Sequence, residues 1–285
     1  MSTTIEKTFS IGGDLKINRL GYGAMRITGK GVWGQPANKE EAIKVLKRAV
    51  ELGVNFIDTA DSYGPHVSEE LIAEALYPYP KDLVIATKGG LTRSGPDQWA
   101  QDGSPEHLKQ ALEGSLKRLK LTTIDLYQLH RIDAKVPVEK TFEFLKQAQK
   151  DGKIKHIGLS EVTVDDIKKA QQYFEVVSVQ NMYSVDNRKW EAVLQYCTEH
   201  NIAFIPWYPL NANNIAVIDV LQKIADKHKA TVQQVAISWL LQHAKNILLI
   251  PGTSSVKHEE ENLKALSLEL TTEDIQTLNK IDHKH

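Results

Sequence analysis

Eight short apolar runs recur along the chain: "RLGYGA", "VNFIDTA", "LVIATK", "IDLYQLH", "HIGLS", "VVSVQN", "AFIPW" and "ILLIPG". Most lack strict apolar–polar alternation, the mark of strands covered on both faces, and such strands build parallel sheets. The stretches between them read as helices with legible ends. In "NKEEAIKVLKRAVELG", Asn38 is a cap with Glu41 three residues on, Ala42, Val45, Leu46 and Ala49 form one stripe, and Gly53 lies past the end. In "SPEHLKQALEGSLKRL", Ser104 caps, Pro105 sits in the first turn, and Leu108, Ala111, Leu112, Ser115, Leu116 and Leu119 face inward. Thr163, Thr231 and either Thr271 or Thr272 open three further helices. Repeated strand–helix units imply a parallel sheet with right-handed crossovers. Ahead of them, "GGD" (Gly12 to Asp14) suggests an N-terminal β-hairpin.

Eight units can make an open doubly wound sheet or a closed barrel, and the polar residues help decide. Asp58, Lys88 and His130 end the second, third and fourth runs, while Ser160, Gln180 and Trp207 end the fifth, sixth and seventh. A barrel gathers all its C-terminal strand ends around one mouth, whereas an open sheet concentrates its site at a single switch point. "GYGAMR" lacks the third glycine of a dinucleotide fingerprint, and neither a Walker A nor an HExxH pattern occurs. The expected fold is an α/β (β/α)8 TIM barrel.

No Pro/Gly/Ser-rich linker or low-complexity tract divides the 285 residues, so residues 1–285 are expected to form one domain. Lys+Arg 35 against Asp+Glu 36 leaves a net charge of -1, which gives no drive toward nucleic acid or an anionic membrane. The single cysteine, Cys197, excludes an intramolecular disulfide and suits a reducing compartment. The N-terminus has no apolar signal region and no run approaches a membrane span in length. The reading is a cytoplasmic protein, monomeric or weakly homo-oligomeric, with no metal.

The stretch "FIDTADSYG" sets Asp58 and Tyr63 at the end of an apolar strand, and a buried carboxylate there needs a partner. Lys88, ending "VIATK", is that partner; by themselves the two residues read as a structural ion pair. Tyr63 adds chemistry. A phenol with a pKa of about 10 keeps its proton at neutral pH, and a neighbouring ammonium is expected to lower that pKa and make it a usable general acid. His130 completes the set, since a neutral imidazole can donate to a carbonyl oxygen and hold it near the phenol. Such a site protonates an oxygen while something else attacks the adjoining carbon.

On these motifs, together with "VQNMYS" and "LLIPGTSSVKHEEEN", the chain resembles the aldo-keto reductase superfamily over nearly its whole length. The resemblance implies NADPH (NADP+) as cofactor, bound extended on a barrel, and reduction of an aldehyde or ketone to an alcohol. It assigns Asp58, Tyr63, Lys88 and His130 as the catalytic tetrad, with Tyr63 as proton donor. It places Gly23, Ala24, Met25, Asp58, Ser160, Gln180, Trp207, Tyr208, Pro209, Leu210, Gly252, Thr253, Ser254, Lys257, His258, Glu261 and Asn262 around the cofactor. Ser160 and Gln180 would hold the nicotinamide carboxamide, and Trp207 would stack on its ring. Lys257 and His258 would face a 2′-phosphate, with Thr253, Ser254 and Ser255 adding hydroxyl and backbone donors, which implies a preference for NADPH over NADH. Two positions depart from the family pattern. Glu161 stands where asparagine is common and can accept but not donate, and Gly252 stands where a lysine is common.

The substrate is expected to be a small carbonyl compound bound by Trp33, Tyr63 and His130, with Trp99 and Tyr208 as further aromatic walls and an open pocket. Stretches such as "YGPHVSEELIAEALYPYP" resemble a bacterial branch that includes pyridoxal reductases, which implies pyridoxal or another small aromatic aldehyde. The alternatives are a non-catalytic NADPH-binding regulator, since potassium-channel β-subunits are similar in fold and cofactor site, and a phosphate-binding barrel enzyme such as an isomerase.

Overall fold

The computed structural model describes residues 6–208 and 215–281. Strands β1 (Thr8–Ile11) and β2 (Leu15–Asn18) pair antiparallel across a turn in which Gly12 and Gly13 take φ of 59° and 82°, values that disfavour any side chain. This is the expected hairpin. There follow β3 (Tyr22–Gly23), β4 (Phe56–Asp58), β5 (Val84–Gly89), the pair β6 (Leu91–Gly95) and β7 (Gln98–Gln101), β8 (Ile124–Leu129), β9 (Ile154–Ser160), β10 (Val176–Gln180) and β11 (Ala203–Phe204). The α-helices are α1 (Lys39–Glu51), α2 (Val67–Leu76), α3 (Pro105–Leu119), α4 (Val138–Lys150), α5 (Val164–Ala170), α6 (Glu191–Glu199), α7 (Ile215–His228), α8 (Val232–His243), α9 (Val256–Leu263) and α10 (Thr272–Asn279).

Seven strands form one parallel sheet in the order β3-β4-β5-β8-β9-β10-β11. The eighth run closes it. Ile247 bridges to Phe204 on one side and Leu249 to Leu20 on the other, both parallel, and the Leu248 and Gly21 amides donate to the carbonyls of Phe204 and Leu249. The result is the (β/α)8 TIM barrel. The first, seventh and eighth strands are shorter than their apolar runs; Pro206 and Pro251 interrupt the donors of two of them.

The caps fall where the sequence puts them. The side chains of Asn38, Ser104, Thr163, Thr231 and Thr271 each accept from the backbone three residues on, and the three threonines form complete capping boxes. Thr271, not Thr272, is the last cap. Ala42, Val45, Leu46 and Ala49 are buried in α1 as expected.

Strand parity builds the mouth. Phe56, Val84, Ala86 and Leu126 pack inside the barrel with Ile11, Leu15 and Ile17 of the hairpin, which seals the end where the strands begin. Ile57, Ile85, Tyr127 and Leu129 instead join the layer shared with the helices. Because side chains alternate faces, the interior series continue from Phe56 to Asp58, from Val84 and Ala86 to Lys88, and from Leu126 to Gln128 and His130. The polar groups therefore meet at the opposite end.

Candidate active site

Lys88 is fully buried, and its ammonium has three N–H groups and three acceptors. It donates to Asp58 Oδ1 at 2.5 Å, the Thr59 carbonyl at 2.8 Å and Tyr63 Oη at 3.4 Å. Burial works against its charge, but Asp58 and Tyr63 hold its pKa above the ordinary lysine value. Asp58 Oδ2 accepts from the Gln128 and Gln180 amides at 2.9 and 3.0 Å. The carboxylate is thus hydrogen-bonded on both oxygens, which answers the cost of burying it. At the adjacent Gly89 a Cβ would lie 2.1 Å from Tyr127 Oη, so only glycine fits beside the lysine.

Tyr63 is buried with its ring edge-on to His130 at 5.9 Å between centroids. Its phenol departs from the expectation of a lowered pKa: burial lifts it above the ordinary value, and Lys88 and Arg131 offset only part of that lift. Sequence displays the neighbouring cation but not the loss of water around the phenolate, which is the larger effect. His130 stays neutral, because burial, then Lys88 and Arg131, hold its pKa well below the ordinary value. Its Nδ1 makes a long contact of 3.4 Å with Ser62 Oγ, and Nε2 has no partner among the described residues.

The other strand ends complete the mouth. Ser160 Oγ donates to the Gln180 carbonyl and accepts from Arg131 Nη1, each at 2.9 Å. Glu161, with φ of 55°, accepts through Oε1 from Trp207 Nε1 at 2.7 Å and from the Met182 amide at 2.6 Å. Its carboxylate is engaged in fixing the indole. Tyr208 is 42% exposed at φ of 58° beside Trp207, and Pro209 and Leu210 lie outside the described residues.

Farther out, Gly23 and Gly252 approach so closely that a Cβ on Gly252 would meet the Gly23 carbonyl at 2.7 Å, with the Arg26 side chain next to it. Ala24 is buried and Met25 half-buried after Gly23, and Ser254 is exposed while Thr253 is buried. Lys257 and His258 are exposed on the first turn of α9; Lys257 stands 3.9 Å from Glu261, and Asn262 is buried one residue later. Beneath them Glu259 is buried with neither carboxylate oxygen hydrogen-bonded, and burial pushes its pKa up to about 8.

Trp33 pairs with Gly64 in a parallel bridge at the mouth. Trp99, expected as an aromatic wall, is on β7 of a hairpin and lies edge-on to both Tyr63 and His130, at 6.4 and 6.5 Å. Sequence reasoning missed Gln128, Arg93 and Arg131 as members of the site. Gln128 carried a signal, since it precedes His130 by two residues and shares its face; nothing comparable marked the arginines.

Residues 19–283 match the family described as Aldo/keto reductase family. The chain belongs to that family. Membership makes the protein an NADP-dependent oxidoreductase that interconverts carbonyl compounds and alcohols. An "uncharacterized oxidoreductase C215.11c" of Schizosaccharomyces pombe is 54% identical over 265 residues, 92% of this chain and 85% of its own length. The pyridoxine 4-dehydrogenase of Escherichia coli K12 is 42% identical over 283 residues, 97% and 99% of the two chains. Among solved structures, the thermostable aldo-keto reductase Tm1743 in complex with epalrestat superposes with a TM-score of 0.85 at 28% identity, covering 96% of this chain and 99% of its own. No helix among the described residues is long and apolar enough to cross a membrane.

Proposed function

We propose that this aldo-keto reductase reduces small planar aromatic aldehydes, pyridoxal foremost, with Tyr63 delivering the proton. The observation that carries the reading is the position of Tyr63 Oη, 3.4 Å from an ammonium already ion-paired with Asp58 and beside a neutral His130. His130 Nε2 donates to the carbonyl oxygen and holds it at the phenol. NADPH, when bound, supplies the hydride to the carbonyl carbon. The oxygen then takes the Tyr63 proton; an alkoxide is far more basic than a phenolate, so a phenol with a raised pKa remains a competent donor. Lys88 stabilises the phenolate left behind.

The chemistry of the donor set fits the cofactor. Ser160 Oγ and the Gln180 side chain suit a carboxamide, the anchored Trp207 offers an indole face, and Tyr208 continues that wall. Gly23 to Met25 and Gly252 to Ser254 would line the cofactor's path. Lys257 and His258 would face the 2′-phosphate, and Glu261 and Asn262 the adenine. Two observations favour a flat substrate: Trp99 and Trp33 stand at the mouth, and a relative at 42% identity is named pyridoxine 4-dehydrogenase.

The test follows NADPH absorbance with pyridoxal and a panel of aromatic and aliphatic carbonyls. Turnover of pyridoxal, and its collapse by about a hundredfold or more in Tyr63→Phe, is the expected result. Turnover of simple aromatic aldehydes without pyridoxal would remove that substrate. An unchanged rate in Tyr63→Phe would remove the proton donor.

A further inference from the structure

Arg93 lies on β6, outside the barrel wall, and its guanidinium is saturated. Nε donates to the Gln98 carbonyl at 2.9 Å, Nη1 to those of Val32 at 2.7 Å and Ser62 at 3.0 Å, and Nη2 to those of Gly31 at 2.7 Å and Gly95 at 3.2 Å. A guanidinium has five N–H groups, so none remains for a substrate anion. The five carbonyls come from three separate segments: the loop before Trp33, the residue preceding Tyr63, and the β6–β7 hairpin. The same group stacks on Trp99, with Cζ 3.6 Å from the ring centroid, and stands 5.7 Å from that of Trp33. Trp99 needs such support, because all four residues of β7 are exposed and the strand offers its indole no packed bed.

We infer that Arg93 is a positioning residue for substrate selection: it holds Trp99 as a fixed wall beside Tyr63 and His130, so that preference for planar aromatic carbonyls over small aliphatic ones depends on it. The inference rests on the carbonyl-reductase reading above. Lysine cannot replace it, having three donors and no planar face to lie on an indole.

The experiment compares pyridoxal with propanal, using NADPH, in Arg93→Lys, Trp99→Ala and the double variant. In Arg93→Lys the ratio of kcat/KM for pyridoxal over propanal should fall about tenfold, through KM rather than kcat. The double variant should be no worse than Trp99→Ala alone, since Arg93 acts through the indole. Arg93→Gln, which keeps a planar group with two N–H donors, should recover part of the ratio. NADPH binding, read by quenching of protein fluorescence, reports that each variant is folded, and Arg93→Gln carries the test should Arg93→Lys fail to fold. Equal losses for both substrates, or losses that multiply in the double variant, overturn the inference. A wild-type protein that reduces no carbonyl overturns the reading beneath it instead.

Discussion

Asp58 and Glu259 are both carboxyl groups with almost no exposure, and they are treated oppositely. At the barrel mouth Asp58 receives an ammonium on one oxygen and two amides on the other. Behind the first turn of α9, Glu259 receives no hydrogen bond at all, and its pKa rises to about 8. Burial alone does not set the charge of a carboxyl group; the donors that converge on it do. The mouth keeps a charge because three strands aim donors at it, whereas the outer helix keeps its acid neutral.

The largest break in that contrast comes from stripping the mouth of its cation. Lys88→Met leaves Asp58 buried and unpaired, and should cost on the order of 3–5 kcal/mol in denaturant unfolding along with most of the NADPH-consuming activity. A loss no greater than that of an ordinary core change would show the network to be dispensable.

Glu259→Gln should move the other way. The wild-type acid holds its proton in the folded state up to about pH 8 but only to its ordinary 4.5 when unfolded. The folded state therefore binds more protons between those values, and wild-type stability falls as pH rises through that window. Relative to wild type the glutamine variant should gain about 4 kcal/mol between about pH 5 and pH 9; parallel pH curves would contradict an unpaired acid.

Lys257, 80% exposed, carries no burial cost, and its surface pairing with Glu261 at 3.9 Å is loose enough for a phosphate to displace. Lys257→Ala should raise the KM for NADPH about tenfold while leaving that for NADH and the melting temperature in place. Equal Michaelis constants for the two cofactors in the wild type would refute the 2′-phosphate role.

The smallest effect is an absence of one. Tyr63 is held above its ordinary value and His130 well below it, so neither changes charge across neutral pH. At saturating NADPH, kcat for reduction should stay level between about pH 6 and 9 and decline only in the alkaline range, as the phenol gives up its proton. An inflection near neutrality would mean that another group controls the step.

The mouth was legible because its residues violate their surroundings: Asp58, Lys88 and His130 end runs that are otherwise apolar, at a spacing that alternation places on one face. The caps were legible because Asn38, Ser104, Thr163, Thr231 and Thr271 satisfy local rules. The β6–β7 hairpin was not, since neither strand carries an apolar period, β7 is exposed throughout, and only the "SGPD" turn hints at it. Arg93 and Arg131 escaped for a related reason. An arginine reads the same in sequence whether its donors meet water or converge on carbonyls from three segments. The Tyr63 phenol was misread in direction because proximity to Lys88 can be guessed from two strand ends, while exclusion of water depends on the whole mouth.

Arg19, buried at the barrel seam, gathers the carbonyls of Leu241, Ala244 and Ile247 from 222 to 228 positions away, next to the Leu20–Leu249 bridge. A chain emerging from the ribosome carries the guanidinium for more than 220 residues of synthesis before it meets those acceptors. Through that interval β3 has no neighbour on its outer edge, and nascent copies on one message are open to pairing with each other. Translation arrested ahead of Asn246 would leave the product in that open form.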